Sequence, residues 1–332
     1  MVGWRPGKIS TYLSLNGYLM SSTVLNQPPA GLARLRLFWA LSRTPHGVLD
    51  MATPALAALI CLGGFPPLGR TLLGIITAFA GYTAVYALND LVDYRHDKTK
   101  FASGGFGDSG SDLDAVFVRH PMAQGYLTFY EGLLWALAWS TVGVVGAYWL
   151  NPVCLWIFLA GCLLEALYCL LGRVTHYRTL VNGIVKTCGP LAAVFAVDPH
   201  PAPGILFWLF TAMFLWEIGG QNVPNDWADI DADRKFKART IPIHFGARRA
   251  IRIILGSLTG SMAAGLMLFA LSPLEMGRLG LLLVLIIGVV LLMVPAFNLY
   301  RKPTPRRAMV LFNRASCYPL SLLVLVLIHM AL

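Results

Sequence analysis

Asn225-Asp226-Trp227-Ala228-Asp229-Ile230-Asp231-Ala232-Asp233-Arg234-Lys235 closes an apolar run of about 20 residues that starts near Pro203. If a helix continues through it, Asp226, Asp229 and Asp233 fall at i, i+3 and i+7. They then share one face over roughly 10 Å of axis. Asn222, four residues before Asp226, lies on the same face. Stacked like charges repel, so the arrangement costs stability unless cations sit between them. A site built from carboxylate oxygens suits Mg²⁺, which keeps waters and bridges to substrate phosphates.

The pattern occurs twice. Asn89-Asp90-Leu91-Val92-Asp93-Tyr94-Arg95-His96-Asp97 also ends an apolar stretch. Asp90, Asp93 and Asp97 repeat the spacing, again behind an Asn-Asp pair. One triplet alone reads as a solvated helix end. Two matching triplets, each at the end of a membrane span, point to one shared site.

The surrounding composition supports spans. The 332 residues are 57% hydrophobic and 13% charged, with a mean hydropathy of +0.64. That excludes an ordinary soluble domain and predicts an all-α, polytopic membrane protein. Nine windows have spanning length, at about 46–68, 71–91, 128–150, 152–171, 179–197, 203–223, 250–272, 279–299 and 309–331. The division expected is an N-terminal segment, 1–45, and a transmembrane domain, 46–332. Cytoplasmic loops are expected at 98–125 and 234–249.

Basic residues set the orientation. With the N-terminus in the cytoplasm, all 26 Lys and Arg fall on the inner side except Arg70 and Arg278 outside and Lys186 within a span. Nine spans then put the C-terminus outside, in what reads as a cell (inner) membrane. The net charge of +10 is a basic cytoplasmic face beside anionic membrane lipid and an anionic substrate. It calls for no nucleic acid. The six cysteines lie in or beside spans without a C-x-x-C pair, as small packing residues.

Met1–Leu25 lacks a run of small residues that would mark cleavage, so no signal peptide is assigned. Arg and Leu interleave from Leu32 to Ser42, which predicts an amphipathic helix on the inner surface. Residues 101–118 are Gly-rich and acidic and read as a flexible loop over the cytoplasmic mouth, a mobile lid or plain disorder, with a second metal-binding loop as the alternative. Glu165 and Tyr168 are three apart in the fourth span, and Asn182 and Lys186 four apart in the fifth. Ionisable groups inside a span face a cavity or a partner. Lys186 therefore binds an anionic substrate head or pairs with Glu165. The last three spans are almost purely apolar, lining a tunnel or completing the bundle.

Two carboxylate clusters with Mg²⁺ between them, beside basic residues, suit a diphosphate. A cavity in the membrane below suits a long apolar tail. Together they suggest ionisation of an allylic diphosphate, with Asp90, Asp93, Asp226 and Asp229 as the catalytic carboxylates. Asn89, Asn222, Asn225, Tyr168, Arg173, Arg95, Lys98 and Lys186 are the candidate substrate contacts. Tyr86, Tyr94, Tyr168 and Trp227 offer π faces to a carbocation.

On these residues the sequence resembles the UbiA-type intramembrane prenyltransferases. Asn89-Asp90-x-x-Asp93-x-x-x-Asp97 is similar to the family's first aspartate motif, and Asp226-x-x-Asp229-x-x-x-Asp233 to its second. His120-Pro121-Met122-Ala123-x-Gly125 and Arg239-Thr240-Ile241-Pro242…Gly246 resemble the stretches that follow them. The resemblance covers roughly residues 35–330. It implies a nine-helix bundle with a central cavity and Mg²⁺-dependent transfer of a prenyl group from a polyprenyl diphosphate. It also implies that Asn89, Asp90, Asp93, Asp97, Asp226, Asp229 and Asp233 hold the metals and diphosphate. Two departures stand out. A Gly-rich insertion interrupts the usual short basic loop. After Tyr168, Arg173 alone matches the family's Lys-Arg pair.

Three readings follow. The first is transfer to a small-molecule acceptor, aromatic or polar. The second is a terpene cyclase on the same frame, with the cation trapped within its own chain. The third is a transporter with acidic ion sites, which the placement of the carboxylates at the mouth disfavours.

Overall fold

The computed structural model describes residues 31–103 and 118–332. The expectations for Met1–Leu25 and for most of the 101–118 loop lie outside the described residues. Most of these parts are helical, and no strand occurs among the described residues. Apolar runs of spanning length leave the backbone one economical solution in lipid, internal i to i−4 hydrogen bonds. Among the described residues nine helices are long and apolar enough to cross a membrane.

A short helix, α1 (Leu32–Leu41), comes first. The spans follow as α2 (Thr44–Leu62), α3 (Leu68–Ala102), α4 (Phe129–Leu150), α5 (Pro152–Arg173), α6 (Arg178–Val197) and α7 (Pro203–Ala228). After a short helix α8 (Ile230–Lys235) come α9 (Ile241–Leu271), α10 (Gly277–Arg301) and α11 (Pro305–Ala331). Local chemistry sets several ends. Thr128 and Glu131 form a capping box at the start of α4. The Asn151 side chain caps α5, with Pro152 in its first turn. Gly63, at φ 68°, ends α2 in the left-handed region.

Three expected boundaries are corrected. The first span ends at Leu62, because Gly63 and the Phe65-Pro66-Pro67 stretch stop it. The loop expected from 98 begins later: α3 stays helical to Ala102 and is 35 residues long, roughly 52 Å. That exceeds a hydrocarbon core of about 30 Å, so its last turns stand clear of lipid. The loop expected at 234–249 is also mostly helix, since α8 ends at Lys235 and α9 starts at Ile241 with a break at Gly246, φ 73°.

The main core joins α2, α7, α9, α10 and α11 through side chains such as Trp216, Leu258, Leu292 and Leu311. A smaller cluster packs Leu37 and Leu41 of α1 on Ala87 and Leu91 of α3 and Ala136 of α4. Arg34 forms an ion pair with Glu131 beside it. The apolar face of α1 is thus turned onto the bundle. Lys235 donates to the Ser103 carbonyl at 2.7 Å, which ties α8 to the end of α3. Both aspartate motifs therefore lie at one end of the bundle.

Candidate active site

One cavity of about 960 Å³ runs from that end into the bundle. Its mouth is lined by Asp93 and Asp97 of α3 and by Asn225, Asp226, Asp229 and Asp233. Deeper, small and aromatic side chains such as Ala78, Gly81, Phe158 and Ala192 line it.

The second motif departs from one unbroken helix. A π-helical turn spans Glu217–Asn222, and the chain leaves helical geometry at Asp229 (φ −95°, ψ 12°). Pro224 removes a backbone donor there, and the wider turn accommodates the loss. The Asp229 amide still reaches the Asn225 carbonyl at 3.1 Å, and the Asp233 amide reaches that of Asp229 at 2.9 Å. The three carboxylates consequently keep a common wall despite the break.

Protein cations already engage part of the cluster. Asp90 is 3% exposed, lies 3.3 Å from the Arg43 guanidinium and 3.2 Å from His120 Nδ1. His120 Nδ1 is also 3.0 Å from Asp97. Asp90, Asp97 and His120 could hold a metal ion, since their ligand atoms lie within 4.8 Å of one another. Burial opposes a charge on His120, but the Asp90 and Asp97 carboxylates outweigh it and lift its pKa to about 9. Arg178 donates to Asp226 Oδ1 at 2.7 Å and sits 4.9 Å above the Tyr168 ring. Asp229 and Asp233 form no ion pair with any described residue. Burial and the neighbouring Asp226 push Asp233 up to about 7.

The remaining predicted contacts divide. Asn89 donates to Glu165 Oε1 at 2.6 Å and accepts from Arg43 at 3.2 Å. Asn222 accepts from Thr179 at 2.8 Å and donates to the Tyr168 hydroxyl at 3.1 Å. Arg173 reaches His96 and lines the cavity. Arg95 and Lys98 are exposed and stand outside it, Lys98 over the Tyr94 ring. Lys186 lines the cavity, its partner is Asp50 at 2.5 Å, and the alternative pair with Glu165 is not formed.

Arg43, His46, Asp50 and Arg178 were not singled out as site residues from the sequence. Asp50 carried a usable signal, as an ionisable residue inside the first span. Arg43 and Arg178 sit at span entrances, where basic residues also serve topology.

The donor set fits a hard divalent cation: carboxylate oxygens dominate, and Asp226 Oδ2 is buried without a hydrogen-bond partner.

The model of the UbiA prenyltransferase family matches residues 51–318. A 4-hydroxybenzoate octaprenyltransferase from Pseudomonas syringae pv. tomato is 25% identical over 235 residues, 70% of this chain and 73% of that one. A digeranylgeranylglyceryl phosphate synthase from Thermococcus sibiricus is 22% identical over 275 residues, 82% and 90% of the two chains. The solved structure of a UbiA homologue from Archaeoglobus fulgidus bound to GPP and Mg²⁺ has the same fold, with a TM-score of 0.64 at 13% identity, covering 89% of this chain and 99% of that one. The chain belongs to the UbiA prenyltransferase family.

Proposed function

We propose that this protein transfers a prenyl group from a polyprenyl diphosphate to a small aromatic or polar acceptor, in a Mg²⁺-dependent reaction that releases diphosphate. The observation that carries the reading is one shared cavity: carboxylates from both motifs line its mouth, and apolar side chains line its depth. Asp90, Asp93, Asp97, Asp226, Asp229 and Asp233 would hold the metal, with Arg43 and His120 beside Asp90 and His120 beside Asp97. Bound there, Mg²⁺ supplies the positive charge that stabilises diphosphate as a leaving group.

The chain's own residues do the rest. Arg178, Arg173 and Lys100 line the mouth and offer cationic donors to an anionic head. Arg178 also holds Asp226 in place. Tyr168 and Tyr86 line the wall below, where π faces can meet a developing carbocation. The apolar depth takes the tail and keeps water from the reacting carbon. The distribution of Lys and Arg supports a mouth open to the cytoplasm, with the N-terminus inside, the C-terminus outside and an inner-membrane location.

The test is product formation by purified protein with geranylgeranyl diphosphate, Mg²⁺ and a panel holding 4-hydroxybenzoate and glycerol 1-phosphate. A prenylated acceptor that disappears with EDTA supports the reading. Prenyl product formed equally in EDTA, or a cyclised hydrocarbon formed without acceptor, overturns it.

A further inference from the structure

Beside the main cavity, at the same end of the bundle, lies a second hollow of about 480 Å³. Arg173 of α5, Lys235 of α8, and Phe236, Lys237 and Arg239 of the link to α9 line it. Four of these five residues are cations and none is a carboxylate. Arg173 also lines the main cavity, so the hollow adjoins the carboxylate mouth.

The frame of the hollow is tied down on several sides. The Arg239 amide donates to the Gly172 carbonyl at 3.0 Å, which joins the link before α9 to the end of α5. Lys235 donates one of its three N–H groups to the Ser103 carbonyl at 2.7 Å. The Lys235 and Lys100 ammonium groups stand 5.5 and 5.9 Å from the Phe236 ring centroid. His96 meets the same ring edge to face at 6.1 Å. The ring therefore gathers cations around it and offers little wall for an apolar ligand.

Lys237 carries the strongest signal. It follows α8 with φ 57°. Its amide reaches the Arg234 carbonyl at 3.3 Å, and the Ala238 amide reaches the Asp233 carbonyl at 2.9 Å. These are the two bonds of a Schellman cap, whose left-handed position glycine fills at least cost. A lysine there is strained, and strain of this kind gathers at functional positions. Membrane topology asks for a basic residue on the inner side, but not for one in this conformation. The helix C-terminus also favours cations, yet Arg234 and Lys235 already supply them in the last turn of α8.

Converging like charges repel, and a bound anion removes that cost. None of Arg173, Lys235, Lys237 and Arg239 forms an ion pair with a described residue. With no carboxylate in the hollow, an anion needs no divalent cation as a bridge and can bind ammonium and guanidinium groups directly. With no apolar wall, there is no seat for a prenyl tail. The chemistry that fits is a small oligophosphate without a tail.

We propose that this hollow is a second anion site, which takes free inorganic diphosphate after it leaves the carboxylate mouth. The identity of the anion rests on the prenyl-transfer reading; the presence of an anion site does not. The two sites differ in their need for metal. In the mouth Mg²⁺ joins carboxylates to diphosphate, whereas the hollow binds the bare anion.

The test is calorimetric titration of inorganic diphosphate into the full-length protein in neutral detergent, with EDTA present. Wild type should bind, and less tightly as ionic strength rises. Lys237→Gly should weaken binding by about tenfold, the loss expected for one charge-assisted contact. The same variant should melt no lower than wild type, because glycine suits the left-handed cap. Lys237→Arg, which keeps the charge, should retain binding, and Arg239→Gln should weaken it by about tenfold. Asp93→Ala and Asp229→Ala should leave binding in EDTA unchanged. Absence of binding in EDTA overturns the proposal, as does an affinity that ignores Lys237→Gly and Arg239→Gln. Loss of EDTA binding in Asp93→Ala would place the anion in the mouth and overturn it too. Displacement of diphosphate by phosphatidylglycerol added to the detergent would make the hollow a lipid-headgroup site and overturn the assignment. Failure of wild type to bind geranylgeranyl thiolodiphosphate with Mg²⁺ would instead sink the prenyl-transfer reading and leave the EDTA titration standing.

Discussion

Arg178, at the first turn of α6, holds Asp226 of the second aspartate motif through a 2.7 Å contact. The side chains are 15% and 4% exposed. The guanidinium thus spans two helices at the mouth, with the Tyr168 ring beneath it. Arg178→Ala leaves a buried carboxylate without its counter-ion, which costs about 3–5 kcal/mol. The melting temperature in detergent should fall, and added Mg²⁺ should restore part of it by replacing the lost charge. Arg178→Lys should fall between the two, since it keeps the charge but loses the planar fork. A melt insensitive to Arg178→Ala would contradict this account.

Asp229 of the second motif and Asp90 of the first should behave differently. Asp229 lines the cavity and forms no ion pair with a described residue. Asp229→Ala should abolish diphosphate release and leave the melt unchanged. Asp90 is buried between Arg43 and His120. Asp90→Ala should abolish release and also lower stability by about 3–5 kcal/mol. Parallel melts and release assays on both variants check the contrast; matching melts would count against it.

The Asp50–Lys186 pair gives a double-mutant prediction. Lys186→Met or Asp50→Leu alone strands a buried charge and should cost about 3–5 kcal/mol. The double variant removes both charges and should recover most of that loss, a strong departure from additivity. Additive losses would show that the two charges do not depend on each other.

Gly219 lies in the π-helical turn of α7, where a Cβ would stand 2.9 Å from both the Ile254 carbonyl oxygen and the Ser257 Cβ. Backbone cannot yield as a flexible side chain can. Gly219→Ala should therefore destabilise by about 1–3 kcal/mol. Gly64→Ala, with open space around it, should be close to neutral. The two melts compared directly decide the point.

Much of this architecture is legible in the sequence, for identifiable reasons. Apolar windows reveal spans, because only a helix of that length satisfies its backbone in lipid. Helix ends are less visible. The α3 helix continues past its apolar window to Ala102 because its hydrogen bonds persist outside the membrane. Spacing within one helix brings Asp93 and Asp97 to a common face. It does not tell which helix faces which. Lys186 could therefore be read as facing Glu165, whereas packing of α2 on α6 brings it to Asp50. The same limit hid the Arg178–Asp226 and Arg43–Asp90 contacts, each of which joins distant parts of the chain.

The central claim is that both aspartate motifs act as one metal-dependent diphosphate site. The most direct measurement is the affinity of geranylgeranyl thiolodiphosphate for wild type, Asp93→Ala, Asp229→Ala and the double variant, each with Mg²⁺ and with EDTA. The account predicts binding by wild type that requires Mg²⁺, loss in each single variant, and little further loss in the double. Binding that survives EDTA, or losses that simply add, would contradict it.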